Sequence, residues 1–175
     1  MLHDAIKLIK EVRNIYEVAG SKTASEFLWH LIKNSLRVIR DRSLISVDQA
    51  MHKANYEFHI GDQLIQLPRN SFGIAREIIG RKIYELDNRF KIHSGDFVID
   101  LGANIGVFSM AAAAQGANVL AIEAQSGFIA EMAVLLRMNK IETVSPLHGI
   151  VAPTGGAFSS TKVRKSASHW KNATA

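Results

Sequence analysis

The run Phe97-Val-Ile-Asp-Leu-Gly-Ala-Asn-Ile-Gly106 constrains the fold more than any other stretch of this chain. An apolar burst ends in Asp100, the glycines Gly102 and Gly106 bracket a short turn, and a second apolar stretch opens at Val107. That is the outline of a buried parallel strand, a tight turn and a helix start. A second short strand, Asn118-Val-Leu-Ala-Ile122, ends in the acidic Glu123 about 20 residues further on. A strand-end acid beside a glycine turn, followed by another strand-end acid, is the layout of a nucleoside-cofactor site in a doubly wound sheet. The predicted fold class is therefore α/β.

Spacing narrows the nucleoside. A dinucleotide fingerprint, G-x-G-x-x-G, lays a pyrophosphate directly on the backbone at a helix N-terminus. Counted from Gly102, that pattern needs glycine where the chain has Asn104 and Val107; the pattern present is D-x-G-x-x-x-G. S-adenosyl-L-methionine has no phosphate to cradle, so the turn need only let the backbone approach a ribose and an amino-acid tail. Small residues at Gly102, Ala103 and Gly106 allow that approach. The spacing favours S-adenosyl-L-methionine and leaves a dinucleotide-dependent oxidoreductase as the alternative.

The side chains fit the same reading. Glu123 offers two acceptor oxygens at a strand end, which suits a bidentate grip on a ribose diol, and Asn104 offers a donor and an acceptor inside the turn. Asp100 ends a buried strand and needs partners there. Either acid alone would pass for a cap or turn residue. With the glycines at this spacing, Asp100, Gly102, Ala103, Asn104, Gly106 and Glu123 form one expected cofactor-binding set. No catalytic residue can be read.

The stretch from Ser94 to Asn139, with Gly-Asp-Phe-Val-Ile-Asp-Leu-Gly-Ala-Asn-Ile-Gly-Val-Phe-Ser at its heart, resembles the FkbM-type methyltransferases. The segment Ile83-Tyr-Glu-Leu-Asp-Asn-Arg-Phe90 sits where those proteins carry a short element before the first strand. The resemblance departs at Ala124-Gln125, where the family usually has Glu-Pro, its acid matching Glu123. It implies a class I, Rossmann-like S-adenosyl-L-methionine-dependent enzyme that methylates a hydroxyl on a sugar, polyketide or related small molecule. It also implies that Asp100 supports the turn near the methionine end of the cofactor. The complete sheet of that class is larger than the three strands readable before Pro153. The expectation is thus the N-terminal part of such a sheet, truncated after the third strand. Such a piece would show no turnover alone and would be prone to self-association through an unpaired strand edge. A non-catalytic cofactor-binding or partner-binding module is the alternative.

Two helices along the sheet follow from periodicity: Val107 to Gln115, closed by Gly116, and about Gly127 to Asn139, with Phe128, Met132, Leu135 and Leu136 on one face. A third strand is expected from Thr143 to Val151, with His148 an ordinary loop histidine.

The first ninety residues read differently. Leu2, Ile6, Ile9, Val12, Ile15 and Tyr16 outline an amphipathic helix up to Gly20, and a second runs from about Thr23 to Arg40. Its basic side, Lys33, Arg37, Arg40 and Arg42, reads as a solvated face. Trp29 is expected to pack against the neighbouring helix, with a membrane surface as the alternative. Alternation on both sides of Gly61-Asp62 predicts a β-hairpin from Tyr56 to Leu67, and Ser71 is placed to cap a helix from Phe72 toward Tyr84. Tyr84 and Glu85 read as surface residues of that linking helix. The expected organisation is a helical extension (1–45), a hairpin and helix (46–90), a cofactor-binding βαβαβ half (91–152) and a polar tail (153–175).

Composition sets the outer bounds. The chain has 175 residues, no cysteine and a formal net charge of +5. No disulfide framework or thiolate chemistry is available, which fits a reducing, cytoplasmic compartment. Charges throughout the first helix exclude a signal peptide, and no apolar run is long enough to span a membrane. The seven histidines show no metal-ligand spacing. Without aromatic interleaving or a nucleic-acid motif, the expectation is that nucleic acid is not a partner.

Overall fold

A computed structural model describes residues 2–52, 55–84, 87 and 90–151. The expected polar tail and Glu85 lie outside them. The chain divides into two compact units, Met1–Lys91 and Ile92–Ala175.

In the first unit, α1 (Leu2–Lys33) is broken at Gly20, whose φ of 77° and ψ of 174° leave the helical region. The second arm ends at Lys33, and α2 (Ser35–Asp41) follows after Asn34, so the second expected helix is divided. The Asn34 side chain donates to the His30 carbonyl at 2.8 Å and competes with the helical ladder. The ladder of one helix ends at Asn34 and that of the next begins there, Asn34 N donating to His30 O and Val38 N to Asn34 O, while Asn34 itself, at φ −103° and ψ 12°, lies outside the helical region. After α3 (Ile45–Ala50) come β1 (Tyr56–Ile60) and β2 (Gln63–Leu67). They pair antiparallel with Ile60 opposite Gln63, around Gly61 at φ 56°. A left-handed first turn residue of this kind is why glycine is favoured in two-residue hairpins.

An aromatic cluster centres this unit. Phe72 lies 4.8 Å from Tyr56, 6.0 Å from Phe27 and 6.1 Å from Phe58, ring centre to ring centre. Beside it the guanidinium of buried Arg76 donates to Asp48 from Nε and Nη2, both at 2.9 Å, and to Glu11 from Nη1 at 3.0 Å. Arg81 also donates to Glu11.

Two expectations for this unit are corrected. Ser71 does not cap a long helix: its hydroxyl donates to the Pro68 carbonyl at 2.6 Å, and α4 (Phe72–Ala75) runs into a π-helical turn over Arg76–Gly80 and stops. Trp29 is not buried against a neighbouring helix: it is 60% exposed.

The second unit alternates β3 (Phe97–Leu101), α5 (Val107–Ala114), β4 (Asn118–Glu123), α6 (Ser126–Met138) and β5 (Val144–His148). Its strands form a parallel sheet in the order β3-β4-β5, with Asp100 beside Ala121 and Glu123 beside His148. This is a partial Rossmann-like α/β fold. The alanine run of α5 explains the close approach of helix to sheet: Met110, Ala111, Ala112 and Ala113 are all buried. Gly116, at φ 91°, ends the helix in the left-handed conformation common after helix C-termini. Met132, Leu135 and Leu136 of α6 are buried as their spacing predicts.

The two faces of the sheet differ. One carries Val119, Ala121 and Glu123, all buried, with Asp100 in register and bonded to α5. The other presents Phe97, Ile99, Leu101 and Leu147, each exposed among the described residues. Parallel sheets are ordinarily covered on both faces.

Candidate functional site

The expected site residues sit at the C-terminal ends of β3 and β4, where open α/β sheets place their ligands. Gly102 N and Ala103 N both donate to the Ile122 carbonyl, at 2.8 and 3.0 Å, and so tie the turn to β4. Gly106 N donates to Ala103 O at 2.8 Å and closes the turn before α5. Three residues in five adopt left-handed backbone: Gly102 at φ 78°, Asn104 at φ 53° and Gly106 at φ 84°. Asparagine is among the few residues with a side chain that tolerate this conformation.

The two glycines serve different ends. A Cβ on Gly102 would meet nothing within 4 Å, so the backbone there fronts open space. A Cβ on Gly106 would lie 2.7 Å from Met132 Cγ. The absence of a side chain at Gly106 therefore lets α6 pack against the turn, a different reason from the ligand approach expected of it. Ala103 is buried.

Glu123 is 6% exposed, and each carboxylate oxygen already holds a backbone amide. Oε2 accepts from Asn104 N at 2.9 Å and Oε1 from Gln125 N at 2.8 Å. The acid thus staples the glycine turn to the start of α6 and keeps lone pairs on both oxygens for further donors. Asn104 Oδ1 accepts from Ile105 N at 2.7 Å.

Asp100 Oδ2 accepts from the Ser109 hydroxyl at 2.6 Å. The carboxylate thereby lies at the first turn of α5, where negative charge meets the positive end of the helix dipole. Burial nevertheless pushes the Asp100 carboxyl above its ordinary value; the Ser109 bonds oppose that rise and the nearby Glu123 charge adds to it.

The fold thus joins Asp100, Gly102, Asn104 and Glu123 around one turn, and brings in residues that sequence reasoning did not select. Ser109 is the lone polar residue of an otherwise apolar helix, a signal that it has a buried partner. Gln125 acts through its backbone and Met132 through its volume, so neither carries a readable signal. His148 is not in a loop: it ends β5 opposite Glu123, with Nε2 donating to the Ala124 carbonyl at 3.0 Å. No cluster of three metal-ligating side chains occurs among the described residues.

No family model matches the chain. The chain is similar to ribosomal RNA large subunit methyltransferase E of Wolbachia sp. subsp. Brugia malayi (strain TRS), with 31% identity over 93 residues. The match covers 53% of this chain and 39% of that relative's length. Among solved structures, Trm5b from Pyrococcus abyssi superposes on 54% of this chain and 28% of its own, at 17% identity and a TM-score of 0.37. The Pyrococcus abyssi tRNA (uracil-54, C5)-methyltransferase in complex with S-adenosyl-L-homocysteine covers 55% of this chain and 24% of its own, at 17% identity and a TM-score of 0.39. The expectation that nucleic acid is not a partner is corrected by the first of these: the relative is by name an enzyme of ribosomal RNA.

Proposed function

We propose that the unit beginning at Ile92 is the cofactor-binding part of an S-adenosyl-L-methionine-dependent methyltransferase that acts on a sugar hydroxyl. The observation that carries this reading is the pairing of Gly102, left-handed and facing open space, with Glu123, held by two backbone amides at the adjacent strand end. A bare backbone beside a fixed carboxylate suits a ribose, whose two hydroxyls would donate to the remaining lone pairs of Glu123. Asp100 and Asn104 hold the turn in shape. Neither Asn104 nor Val107 fits the dinucleotide fingerprint.

The likeness to a ribosomal RNA methyltransferase supports RNA as the acceptor. The Gly-Ala-Asn-Ile-Gly turn and the preceding Gly95-Asp96 support the FkbM-type reading, with a hydroxyl on a sugar or polyketide-like small molecule. The two converge chemically, since RNA presents a sugar hydroxyl, the ribose 2′-OH, on every nucleotide. Absence of cysteine supports a cytoplasmic setting.

Calorimetric titration with S-adenosylhomocysteine and, separately, with NAD tests the cofactor. Binding of the first alone is expected. Gly102→Val should abolish it while circular dichroism keeps most of its helical signal, because the new side chain fills the approach to the turn. Binding of NAD alone would overturn the reading. Transfer of a labelled methyl group to RNA or to a free glycoside then separates the acceptors.

A further inference from the structure

The surface formed by the second arm of α1 and by α2 is unlike the rest of the first unit. Trp29, Ile32, Leu36 and Ile39 are 60, 62, 83 and 73% exposed, and no residue of α2 is buried. Their spacing makes an apolar stripe in two parts, Trp29 and Ile32 on the second arm of α1 and Leu36 and Ile39 on α2, meeting at Asn34. Lys33, Arg37 and Arg40, all exposed, run beside that stripe on the next rows of the helix, and Arg42 follows at its end. Of the segment's two acids, Glu26 precedes the stripe and Asp41 is paired with Arg40 at 2.7 Å. Leu28 joins the stripe to an apolar groove of about 590 Å³ between the two arms of α1, lined also by Ile9, Val12 and Tyr16.

We propose that this face is a peripheral docking surface for an anionic lipid bilayer. An apolar stripe edged by Lys and Arg is the composition of a helix lying in the membrane interface: the aliphatic side chains and the indole enter the headgroup–acyl boundary, and the basic side chains reach back to the phosphates. Each basic residue near an anionic surface adds attraction that salt weakens. Charge complementarity selects this occupant. A second copy of the chain would bring two rows of Lys and Arg together around the same stripe. Single-stranded RNA would satisfy the charges yet leave Ile32, Leu36 and Ile39 with nothing to bury against, since bases stack on aromatic rings and, of the four stripe residues, Trp29 alone carries one. No helix among the described residues is long and apolar enough to cross a membrane, so the association is one of lying on the surface.

The test is co-sedimentation of the whole chain with phosphatidylcholine vesicles, with and without phosphatidylglycerol. Binding is expected only with the anionic lipid and should fall as salt rises. Leu36→Ser should reduce partitioning about tenfold, from the apolar area it withdraws. Arg37→Gln and Lys33→Gln should each reduce it about fivefold, the value of one basic charge at such a surface. All three positions are exposed, so folding is spared, and circular dichroism checks that. In a Trp170→Phe background Trp29 is the only indole; its emission should shift to the blue on binding and be quenched by brominated acyl chains. Three results would overturn the proposal. They are absence of binding to anionic vesicles, RNA binding lost in Arg37→Gln but untouched by Leu36→Ser in a chain that ignores vesicles, and a dimer lost in Leu36→Ser in such a chain.

Discussion

Arg76 and Glu123 are both charged and both buried, 2% and 6% exposed, and the two units of the chain satisfy them in opposite ways. Around Arg76 the partners are ionic: Asp48 takes two of its donors and Glu11 a third. These charges raise the guanidinium further above its already high range, against the burial that would lower it. Around Glu123 and Asp100 the partners are neutral, backbone amides and one serine hydroxyl, and no cation pairs with either among the described residues. The first arrangement consumes its charge within the scaffold. The second fixes the position of two carboxylates while leaving acceptor capacity, which is what a ligand needs.

The comparison is broken most severely at Arg76. Arg76→Met leaves Glu11 and Asp48 without their shared cation and should destabilise the first unit by about 3–5 kcal/mol. Replacing all three with apolar residues should recover most of that loss, because the charges then left without these partners, Arg81 and Glu77, are 40% and 46% exposed to water. Urea denaturation of the single and triple variants decides it. Equal losses in both would show that the network is held for its packing.

A smaller effect is expected at the neutral-partner site. Glu123→Gln keeps the shape but sets an amide NH2 against the Asn104 or Gln125 backbone N–H, and should cost about 1–3 kcal/mol. A thermal melt unaffected by this change would show that the turn holds itself without the staple.

The smallest effect is expected at Asp100 and depends on pH. Its carboxyl titrates higher in the fold than in the unfolded chain, chiefly through burial. The wild type is therefore at its best below the ordinary carboxylate range, and loses stability as pH rises from there through the raised folded value. Asparagine does not titrate and can still accept from Ser109. Asp100→Asn should thus gain on the wild type across that window and hold a constant advantage above it. Denaturation midpoints measured across that range check the sign; a gap that narrows with rising pH would contradict it.

Much of the second unit is legible in the sequence because its signals are local. The apolar run to Leu101, the glycines of the turn, the alanine run and Gly116 each specify backbone conformation within a few residues, and the parallel order follows from strands joined by helices. The break at Gly20 and the hairpin at Gly61-Asp62 are legible for the same reason. Periodicity also marks Trp29, Ile32, Leu36 and Ile39 as apolar, yet it cannot say whether anything covers them.

What the chain's sequence determined by itself is the succession of elements and the acids and glycines that meet at the ends of β3 and β4. Only the tertiary structure decided that Arg76 closes on Glu11, 65 positions away, and on Asp48, 28 positions away. It also decided that Gly106 is small to admit Met132, that His148 stands beside Glu123, and that the Trp29 stripe is exposed. The physical reason is range. Propensity and periodicity act over a few residues of backbone, whereas a buried charge or a filled volume depends on which distant segment the folded chain brings against it.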